Sequence, residues 1–225
     1  MSEPIIQIRT VRKAYTRGVE TILVLDDLSL EVKEGEFFAL MGPSGSGKTT
    51  LLNLVAGLDT PDSGKVIVAG KDLAQLGESE LARWRAVNVG FIFQFYNLIP
   101  VLTALENVAL PLSLLDMPPK ERKERARFAL EIVGLSDRCD HYPGQLSGGQ
   151  EQRVAIARAV VSDPRLVVAD EPTGDLDRRS AAEILQLLQR LNSEFQKTVA
   201  MVTHDQTASH YASRVLHLDK GQLSE

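Results

Sequence analysis

A glycine-rich loop stands between an apolar segment and a helical one, and its residue types suit phosphate binding. Its eight residues are Gly42, Pro43, Ser44, Gly45, Ser46, Gly47, Lys48 and Thr49. The order fits G-x-x-x-x-G-K-[ST], in which glycines allow several backbone N–H groups to point at one anion. A lysine at this spacing reaches the β- and γ-phosphates of a nucleotide, and the threonine hydroxyl holds Mg²⁺. We predict a nucleotide phosphate site here, with Thr50 included.

Two adjacent carboxylates, Asp170 and Glu171, follow the apolar run Leu166–Ala169. Ligands of open α/β sheets bind at the carboxyl ends of the strands, which is where this pair is predicted to lie. One carboxylate can serve Mg²⁺ through water, and the other can orient or deprotonate an attacking water. Acidic residues commonly end strands, so the pair gains its meaning from the phosphate loop in the same chain.

Two further polar residues come directly after apolar runs. Gln94 follows Val89–Phe93, and His204 follows Val199–Thr203. An amide at such a place could ligate Mg²⁺ or hold the attacking water, and a histidine could donate a hydrogen bond to a γ-phosphate. On local pattern alone, each is more often an ordinary residue without a functional role.

A second potential anion site opens the helical run Glu151–Val161. Its residues are Leu146, Ser147, Gly148, Gly149 and Gln150. Ser147 can cap the helix, and the two glycines leave backbone N–H groups accessible to an anion. A plain capped helix start explains the same residues equally well.

The elements that must position these residues are short buried strands alternating with helices. The strands are expected at Ile5–Ile8, Phe37–Met41, Lys65–Val68, Val89–Phe93, Leu166–Ala169 and Val199–Thr203. This alternation predicts an α/β fold with a mainly parallel core sheet. Residues 95–160 contain helical patterns and no convincing strand. We therefore expect one domain over residues 1–225, with an α/β body at 1–94 and 161–225, a helical subdomain at about 95–160, and a hairpin at the end.

Composition narrows the classes of partner. The 225 residues carry 25 Lys+Arg against 30 Asp+Glu, for a formal net charge of -5. An acidic chain lacks the basic field of most nucleic-acid-binding proteins, so no nucleic-acid partner is expected. One cysteine cannot form an internal disulfide, which favours a reducing compartment. The apolar segment Phe95–Leu115 contains Glu106 and Pro111, so we expect partly buried protein with a surface for a partner rather than a membrane span.

In their order along the chain, these features resemble the ATP-binding-cassette (ABC) ATPase family from about residue 5 to residue 223. The ordered set is Tyr15, the loop at 42–49, Gln94, the signature at 146–150, Asp170-Glu171, Asp177 and His204. The resemblance implies the P-loop ABC ATPase fold, with an antiparallel β part beside the core sheet. It also implies ATP and Mg²⁺ as ligands and ATP hydrolysis as the activity.

The resemblance also implies roles for single residues. Tyr15 is similar to the aromatic residue that stacks on adenine. Glu171 is similar to the catalytic base, and Asp170 to the ligand of a Mg²⁺-bound water. Gln94 matches the residue that contacts Mg²⁺ and the attacking water, and His204 matches the residue that senses the γ-phosphate.

The family further implies a head-to-tail dimer that sandwiches ATP. The loop at 42–49 of one chain would face the signature at 146–150 of a second copy, with Ser147 and Gly149 on the γ-phosphate. Asp177 resembles the residue that contacts the opposite subunit. Hydrolysis removes the γ-phosphate bridge, which would loosen the dimer.

The runs at 88–100 and 102–108 resemble the lipoprotein-releasing, macrolide-export and cell-division ATPases. That branch implies a separate membrane permease with few spanning helices and a large extracytoplasmic domain, and a peripheral location at the cytoplasmic face of the inner membrane. Phe95–Leu115 is the candidate docking segment, with Leu98 and Val101 as test positions.

One alternative shares every motif: a non-transport ATPase that controls an extracytoplasmic hydrolase through its membrane partner. A simple kinase would leave residues 146–150 without a role, and a DNA-repair ATPase would need long coiled-coil heptads or a zinc insertion. Two residues depart from the branch pattern, Asp175 where Asn is usual and Glu151 where Gln is common. Neither change removes a group that catalysis needs, so active hydrolysis is expected.

Overall fold

The computed structural model describes residues 4–18 and 20–224, and these form two sheets with helices packed around them. One sheet has six strands in the order β10-β9-β3-β8-β7-β6, and the other has four in the order β2-β1-β4-β5. The strands are β1 Pro4–Arg17, β2 Glu20–Lys33, β3 Phe37–Met41, β4 Ser63–Val68, β5 Lys71–Asp72, β6 Val89–Ile92, β7 Leu166–Asp170, β8 Thr198–Val202, β9 Arg214–Asp219 and β10 Gln222–Ser224.

The six-stranded sheet is parallel except at one edge. Strand β3 pairs in parallel with β8 and β9, and β7 pairs in parallel with β8 and β6, whereas β10 pairs antiparallel with β9. Every residue of β3 and β8 is buried, as expected for strands covered on both faces. The predicted α/β class, the mainly parallel core sheet and the final hairpin are confirmed.

The four-stranded sheet is antiparallel and larger than the sequence pattern indicated. The prediction of a first strand limited to Ile5–Ile8 is wrong, because β1 continues to Arg17 and pairs along its length with β2. The register of this pair shifts between Ile8 and Val11 and again around Lys13. Each bulge interrupts the two-residue alternation on which strand prediction depends, which hides the hairpin in the sequence.

Seven α-helices surround the sheets in the part of the chain that the structure describes. They are α1 Lys48–Val55, α2 Glu78–Asn88, α3 Ala104–Ala109, α4 Pro119–Ile132, α5 Gly148–Val160, α6 Arg178–Ser193 and α7 Gln206–Ser209. Short 3-10 helices occur at Leu73–Gln75, Leu110–Leu114, Ser136–Arg138 and Pro143–Gln145. No described helix has both the length and the apolar character needed to span a bilayer.

Two hydrophobic clusters fix the relation of helices to sheets. The first contains residues of α3, α4, α5 and α6 together with one face of the parallel sheet, including Phe37, Ile92 and Val167. The second joins the opposite face of that sheet to α1 and to the antiparallel sheet, including Phe38 and Leu40. Because neighbouring residues of β3 enter different clusters, the carboxyl end of β3 and the loop that follows it are held from both sides.

Candidate functional site

The phosphate loop leaves β3 and ends where α1 begins, at Lys48. The Lys48 side chain is buried, and its Nζ donates to the backbone oxygens of Gly42 at 2.9 Å and Pro43 at 2.8 Å. A lysine ammonium carries three donors, so the loop's own carbonyls occupy two of them. The Lys48 ammonium is therefore held inside the turn at the amino end of α1. The helix dipole is positive at this end and stabilises a bound anion there.

Glycine is required at two points of this loop. A Cβ at Gly42 would lie 2.1 Å from the backbone oxygen of Leu218, and one at Gly47 would lie 2.9 Å from Cδ2 of Leu25. Gly47, the residue before α1, has a φ of 105°, which side-chain-bearing residues rarely adopt. The hydroxyl of Ser46 is buried and makes no hydrogen bond in the described part of the chain, which leaves a polar atom in the loop for a ligand.

Asp170 lies at the end of β7, beside the start of α1. Thr49 Oγ1 donates to Asp170 Oδ2 at 3.4 Å, a long hydrogen bond that joins the loop to the acidic pair. Burial and the neighbouring Glu171 charge raise the pKa of Asp170 above its ordinary value, against the lowering influence of Thr49 and Lys48. Burial thus disfavours the ionised carboxylate in this place.

Glu171 is held in a strained backbone conformation and paired with His204. Its φ is 47°, its N–H donates to the Val202 oxygen at 2.9 Å, and its own oxygen accepts from the Gly174 N–H at 3.0 Å. Such strain costs roughly 1–3 kcal/mol and collects at functional sites. The Glu171 Oε2 lies 3.0 Å from His204 Nδ1, so the structure brings together two residues that the sequence pattern placed after separate strands.

One cavity of about 560 Å³ collects most of the predicted residues. Loop and helix residues line one side of it, and Glu171, His204 and Tyr15 line the rest, together with Val24 and Val202. The lining does not include Gln94, Asp170, Asp177 or the signature residues 146–150. The residues of the glycine-rich loop and the Glu171–His204 pair therefore share a single space, whereas the second predicted anion site lies outside it.

Tyr15 forms a wall of this cavity from strand β1. Its hydroxyl donates to Asp59 Oδ2 at 2.6 Å, and 41% of the residue is exposed. Burial and the bond to Asp59 raise the pKa of Tyr15 above its ordinary value, so the phenol stays protonated. The family resemblance pointed to Tyr15, whereas the sequence analysis found no signal for Asp59.

The signature residues form the capped start of α5. Ser147 Oγ accepts from the Gln150 N–H at 3.4 Å, and the Ser147 N–H donates to Gln150 Oε1 at 3.0 Å, which makes a capping box. Asp177 caps α6 in the same way, with Oδ1 accepting from the Arg179 and Ser180 N–H groups at 2.9 and 3.0 Å. These backbone bonds, with the Ser180 hydroxyl, lower the pKa of Asp177.

Gln94 lies in a segment that side chains of α5 hold at both ends, a feature that sequence patterns missed. Before it, the buried Gln152 donates to the backbone oxygens of Phe93 at 3.2 Å and Pro172 at 2.5 Å. After it, Arg158 donates to the oxygens of Tyr96 at 2.7 Å and Asn97 at 2.5 Å. The helix that begins with the signature thus anchors the segment carrying Gln94.

The two departures from the branch pattern meet at Tyr96. The Tyr96 hydroxyl donates to Asp175 Oδ2 at 3.2 Å, and burial with the Asp175 charge raises the pKa of Tyr96 to about 12. A Cβ at Gly148 would lie 2.9 Å from that hydroxyl, so the ring tip contacts the signature as well. Burial, followed by the Asp175 charge, raises the pKa of Glu151.

Replacing Glu151 with Gln is expected to raise the free energy of unfolding at neutral and alkaline pH but not at acidic pH. A raised carboxyl pKa means that wild-type stability is full below the ordinary glutamate pKa and declines as pH rises through the raised one. Since Glu151 is partly exposed, solvent screening limits the gain to about 0.5 kcal/mol at pH 8, or roughly 1–2 °C in Tm. Denaturation of both proteins at pH 4 and pH 8 checks this, and an equal difference at the two pH values contradicts it.

Most of the chain matches one family of known proteins. Residues 25–174 match the family model described as ABC transporter. This range begins in β2 and ends just after the acidic pair, so it contains the phosphate loop, Gln94, the signature and Glu171. It covers more than half of the chain.

Relatives match over nearly the whole length. The lipoprotein-releasing system ATP-binding protein LolD of Pseudomonas fluorescens is 47% identical over 224 residues, covering 99% of each protein. The macrolide export ATP-binding/permease protein MacB 1/2 of Paracoccus denitrificans is 49% identical over 220 residues, which are 98% of this chain and 33% of that protein. The solved ATP-binding cassette MJ0796, dimeric in a post-hydrolysis state bound to ADP and Pi, superimposes with a TM-score of 0.89 at 44% identity, covering 98% of this chain and 97% of that one.

Proposed function

This chain belongs to the ABC transporter family, and from that premise we propose that it is the ATP-hydrolysing subunit of a membrane complex of the lipoprotein-releasing or macrolide-export type. The observation that carries the proposal is the shared cavity, in which the Lys48 loop and the Glu171–His204 pair face the same space. ATP is the substrate, and ADP and phosphate are the products. The macrolide and lipoprotein relatives favour this function over control of an extracytoplasmic hydrolase.

The loop binds the phosphates of ATP. Backbone N–H groups of 42–49 and the start of α1 surround them, and the residues from Gly42, Pro43, Ser44 and Gly45 through Ser46, Gly47, Lys48, Thr49 and Thr50 form the cradle. Lys48 balances the negative charge that builds on the γ-phosphate and the leaving ADP. Tyr15 stacks on the base at the other wall of the cavity.

Glu171 is the general base of hydrolysis. A water oxygen attacks the γ-phosphorus, its proton passes to the Glu171 carboxylate, and the bond between that phosphorus and the bridging oxygen of ADP breaks. Its pairing with His204 at 3.0 Å keeps the carboxylate turned toward the cavity. His204 also lines the cavity, from which it can donate to the γ-phosphate. The family resemblance gives Gln94 the role of orienting the water, although Gln94 is outside the lining of this cavity.

The acidic corner suits Mg²⁺. Thr49 and Asp170 are in contact there, and the family resemblance adds Gln94. Their hydroxyl, carboxylate and amide oxygens are hard donors, which is the ligand chemistry that Mg²⁺ takes together with substrate phosphates. Burial raises the pKa of Asp170, and a cation beside this carboxylate would favour its ionised form. Oxygens of the bound nucleotide would supply further ligands to such an ion. When bound, Mg²⁺ polarises the β- and γ-phosphates.

A second copy completes the site. Ser147, Gly148, Gly149 and Gln150 lie outside the cavity, yet the first turn of α5 presents N–H groups that a helix cannot satisfy itself. In a head-to-tail dimer these groups bind the γ-phosphate held by the opposite chain, and Asp177 lies at the interface. The dimeric state of the solved MJ0796 cassette supports this arrangement.

The membrane partner is a separate permease with few spanning helices and a large extracytoplasmic domain, which holds this subunit at the cytoplasmic face of the inner membrane. The macrolide relative is named as a joined ATP-binding/permease protein, and this chain spans a third of it. A groove of about 400 Å³ offers the docking site, and its lining includes the apolar residues Leu58, Phe91, Pro111 and Leu114. Leu58 and Leu114 are 51% and 73% exposed, although apolar.

The structure refines the test positions within 95–115. Val101 is 77% exposed, whereas Leu98 is partly buried and packs against the first hydrophobic cluster. A charge at Leu98 would therefore damage the fold as well as any interface. Leu114 combines high exposure with a place in the groove, which makes it the better choice.

Replacing Leu114 with Glu is expected to uncouple the subunit from its permease. A charge in an apolar interface costs more than about 1 kcal/mol, so copurification and permease-stimulated ATPase in proteoliposomes should fall about tenfold. Phe128→Glu is the matched control, since Phe128 is 59% exposed on α4 and lies outside the groove. Both variants should keep basal ATPase within about twofold. Full stimulation of Leu114→Glu would rule out this groove.

A further inference from the structure

Asp59 and Lys13 form an ion pair that contacts Tyr15, the tyrosine that lines the cavity of the phosphate loop. Lys13 Nζ lies 2.7 Å from Asp59 Oδ1 and donates to the Thr60 oxygen at 2.8 Å. Asp59 Oδ1 also accepts from the Thr60 N–H at 2.7 Å. Lys13 is only 8% exposed, so its charge depends on this partner. Burial acts to raise the pKa of Asp59, but the bonds from Lys13, Tyr15 and Thr60 outweigh it, and the pKa lies below its ordinary value.

The same pair holds the ring of Tyr15 at two points. The other Asp59 oxygen, Oδ2, accepts from the Tyr15 hydroxyl at 2.6 Å, which fixes the far end of the ring. The Lys13 ammonium lies over the ring, 4.9 Å from its centroid, within the range of a cation–π interaction. One face of the ring is therefore taken by the cation, and the other remains for a stacked base.

Asp59 is also tied to the helix that begins at the phosphates. Its N–H donates to the Asn53 oxygen at 3.3 Å, and Asn53 belongs to α1. Helix α1 thus begins at Lys48. Near its other end, Asn53 contacts Asp59, which lies beyond the last turn and holds Tyr15. The distance between the phosphate end and the base end of the cavity is set by one rigid element.

We propose that Asp59 and Lys13 are positioning residues for nucleotide binding, holding Tyr15 in the one orientation in which its free face stacks on a purine base. The inference rests on the proposed role of Tyr15. A ring that is already fixed loses little conformational freedom when the base arrives, and each immobilised side chain otherwise weakens binding by about 2- to 10-fold. Stacking reads no base edge, so ATP and GTP should respond alike.

The primary variant is Tyr15→Phe, which keeps the ring and removes only the hydroxyl that reaches Asp59. We expect KM for ATP to rise about threefold, with the effect on KM rather than on kcat. Asp59→Ala should match it, and the double variant should be no worse than either single one, because each change removes the hydrogen bond between Tyr15 and Asp59. Tyr15→Ala, which removes the stack itself, should raise KM at least about fivefold.

Inorganic tripolyphosphate separates positioning from general damage, because it has phosphates and no base. Its inhibition constant against ATP hydrolysis should stay within about twofold in all variants if Asp59 acts through Tyr15. Equal weakening of ATP and tripolyphosphate by Tyr15→Phe, or additive effects in the double variant, would overturn the inference. If Tyr15→Ala leaves KM unchanged, the stacking role itself is wrong. Thermal melts without nucleotide report the separate cost of leaving buried Lys13 unpaired in Asp59→Ala.

Discussion

Replacing Glu171 with Gln is expected to lower the kcat for ATP hydrolysis by at least about 100-fold while ATP still binds. The amide keeps the size of the carboxylate and an oxygen for the contact with His204, which lies 3.0 Å away in the wild type. It cannot take a proton from water. Because the phosphate cradle is untouched, bound ATP should persist, and with it the dimer that the γ-phosphate holds together.

Phosphate release, nucleotide binding and light scattering measure the three parts of this expectation. Glu124→Gln is a suitable control, since Glu124 is an exposed glutamate on α4 outside the cavity. Hydrolysis by Glu171→Gln at the wild-type rate would remove Glu171 as the base. Loss of ATP binding together with hydrolysis would instead show that Glu171 supports the shape of the cavity.

Replacing Lys48 with Met is expected to remove both ATP binding and hydrolysis. Lys48 is the only lysine or arginine among the described residues that line the cavity, so the loop loses its one formal positive charge there. Loss of a single well-placed donor to a developing charge costs about 10²–10³ in rate, and weaker binding adds to the loss in kcat/KM. Methionine keeps the apolar stem, which suits a side chain that is 8% exposed.

Thermal denaturation with and without Mg-ATP distinguishes ligand loss from misfolding. Wild-type Tm should rise with nucleotide by mass action, whereas the Lys48→Met melt should not move. Without nucleotide, the two melts should agree within a few degrees. Lys33→Ala, at an exposed lysine at the end of β2, should behave as wild type in both assays. A nucleotide-dependent rise in the Lys48→Met melt would contradict the assignment.

The parts of the fold that the sequence predicted well are those whose signal is local. Phe37–Met41 is an unbroken apolar run and forms β3 with those same bounds, because a strand buried on both faces needs no alternation. The β1–β2 hairpin was missed because its bulges interrupt the period and its pairing is decided by contacts with the next strand. Helix starts were predictable where a side chain caps its own helix, as Ser147 does.

The residues of the site also differ in whether a local sequence signal identifies them. The sequence predicts the phosphate loop because local geometry requires its glycines: the backbone approaches closely at Gly42, and Gly47 has a positive φ. The acidic pair was readable from its place after a strand. The sequence does not identify Asp59, because an aspartate after a helix is common. Its proposed role depends on a hydrogen bond from Tyr15, which lies 44 residues earlier in the chain.

The sequence by itself therefore determined the class of fold, the family and the candidate phosphate-binding groups, because each single motif is made of residues close together in the chain and the order of the motifs indicates the family. The tertiary structure decided which of these groups share one space. It joined Glu171 to His204 and excluded the signature from the cavity. Such contacts link residues far apart in the chain, and only the packing of strands and helices fixes the distances between them.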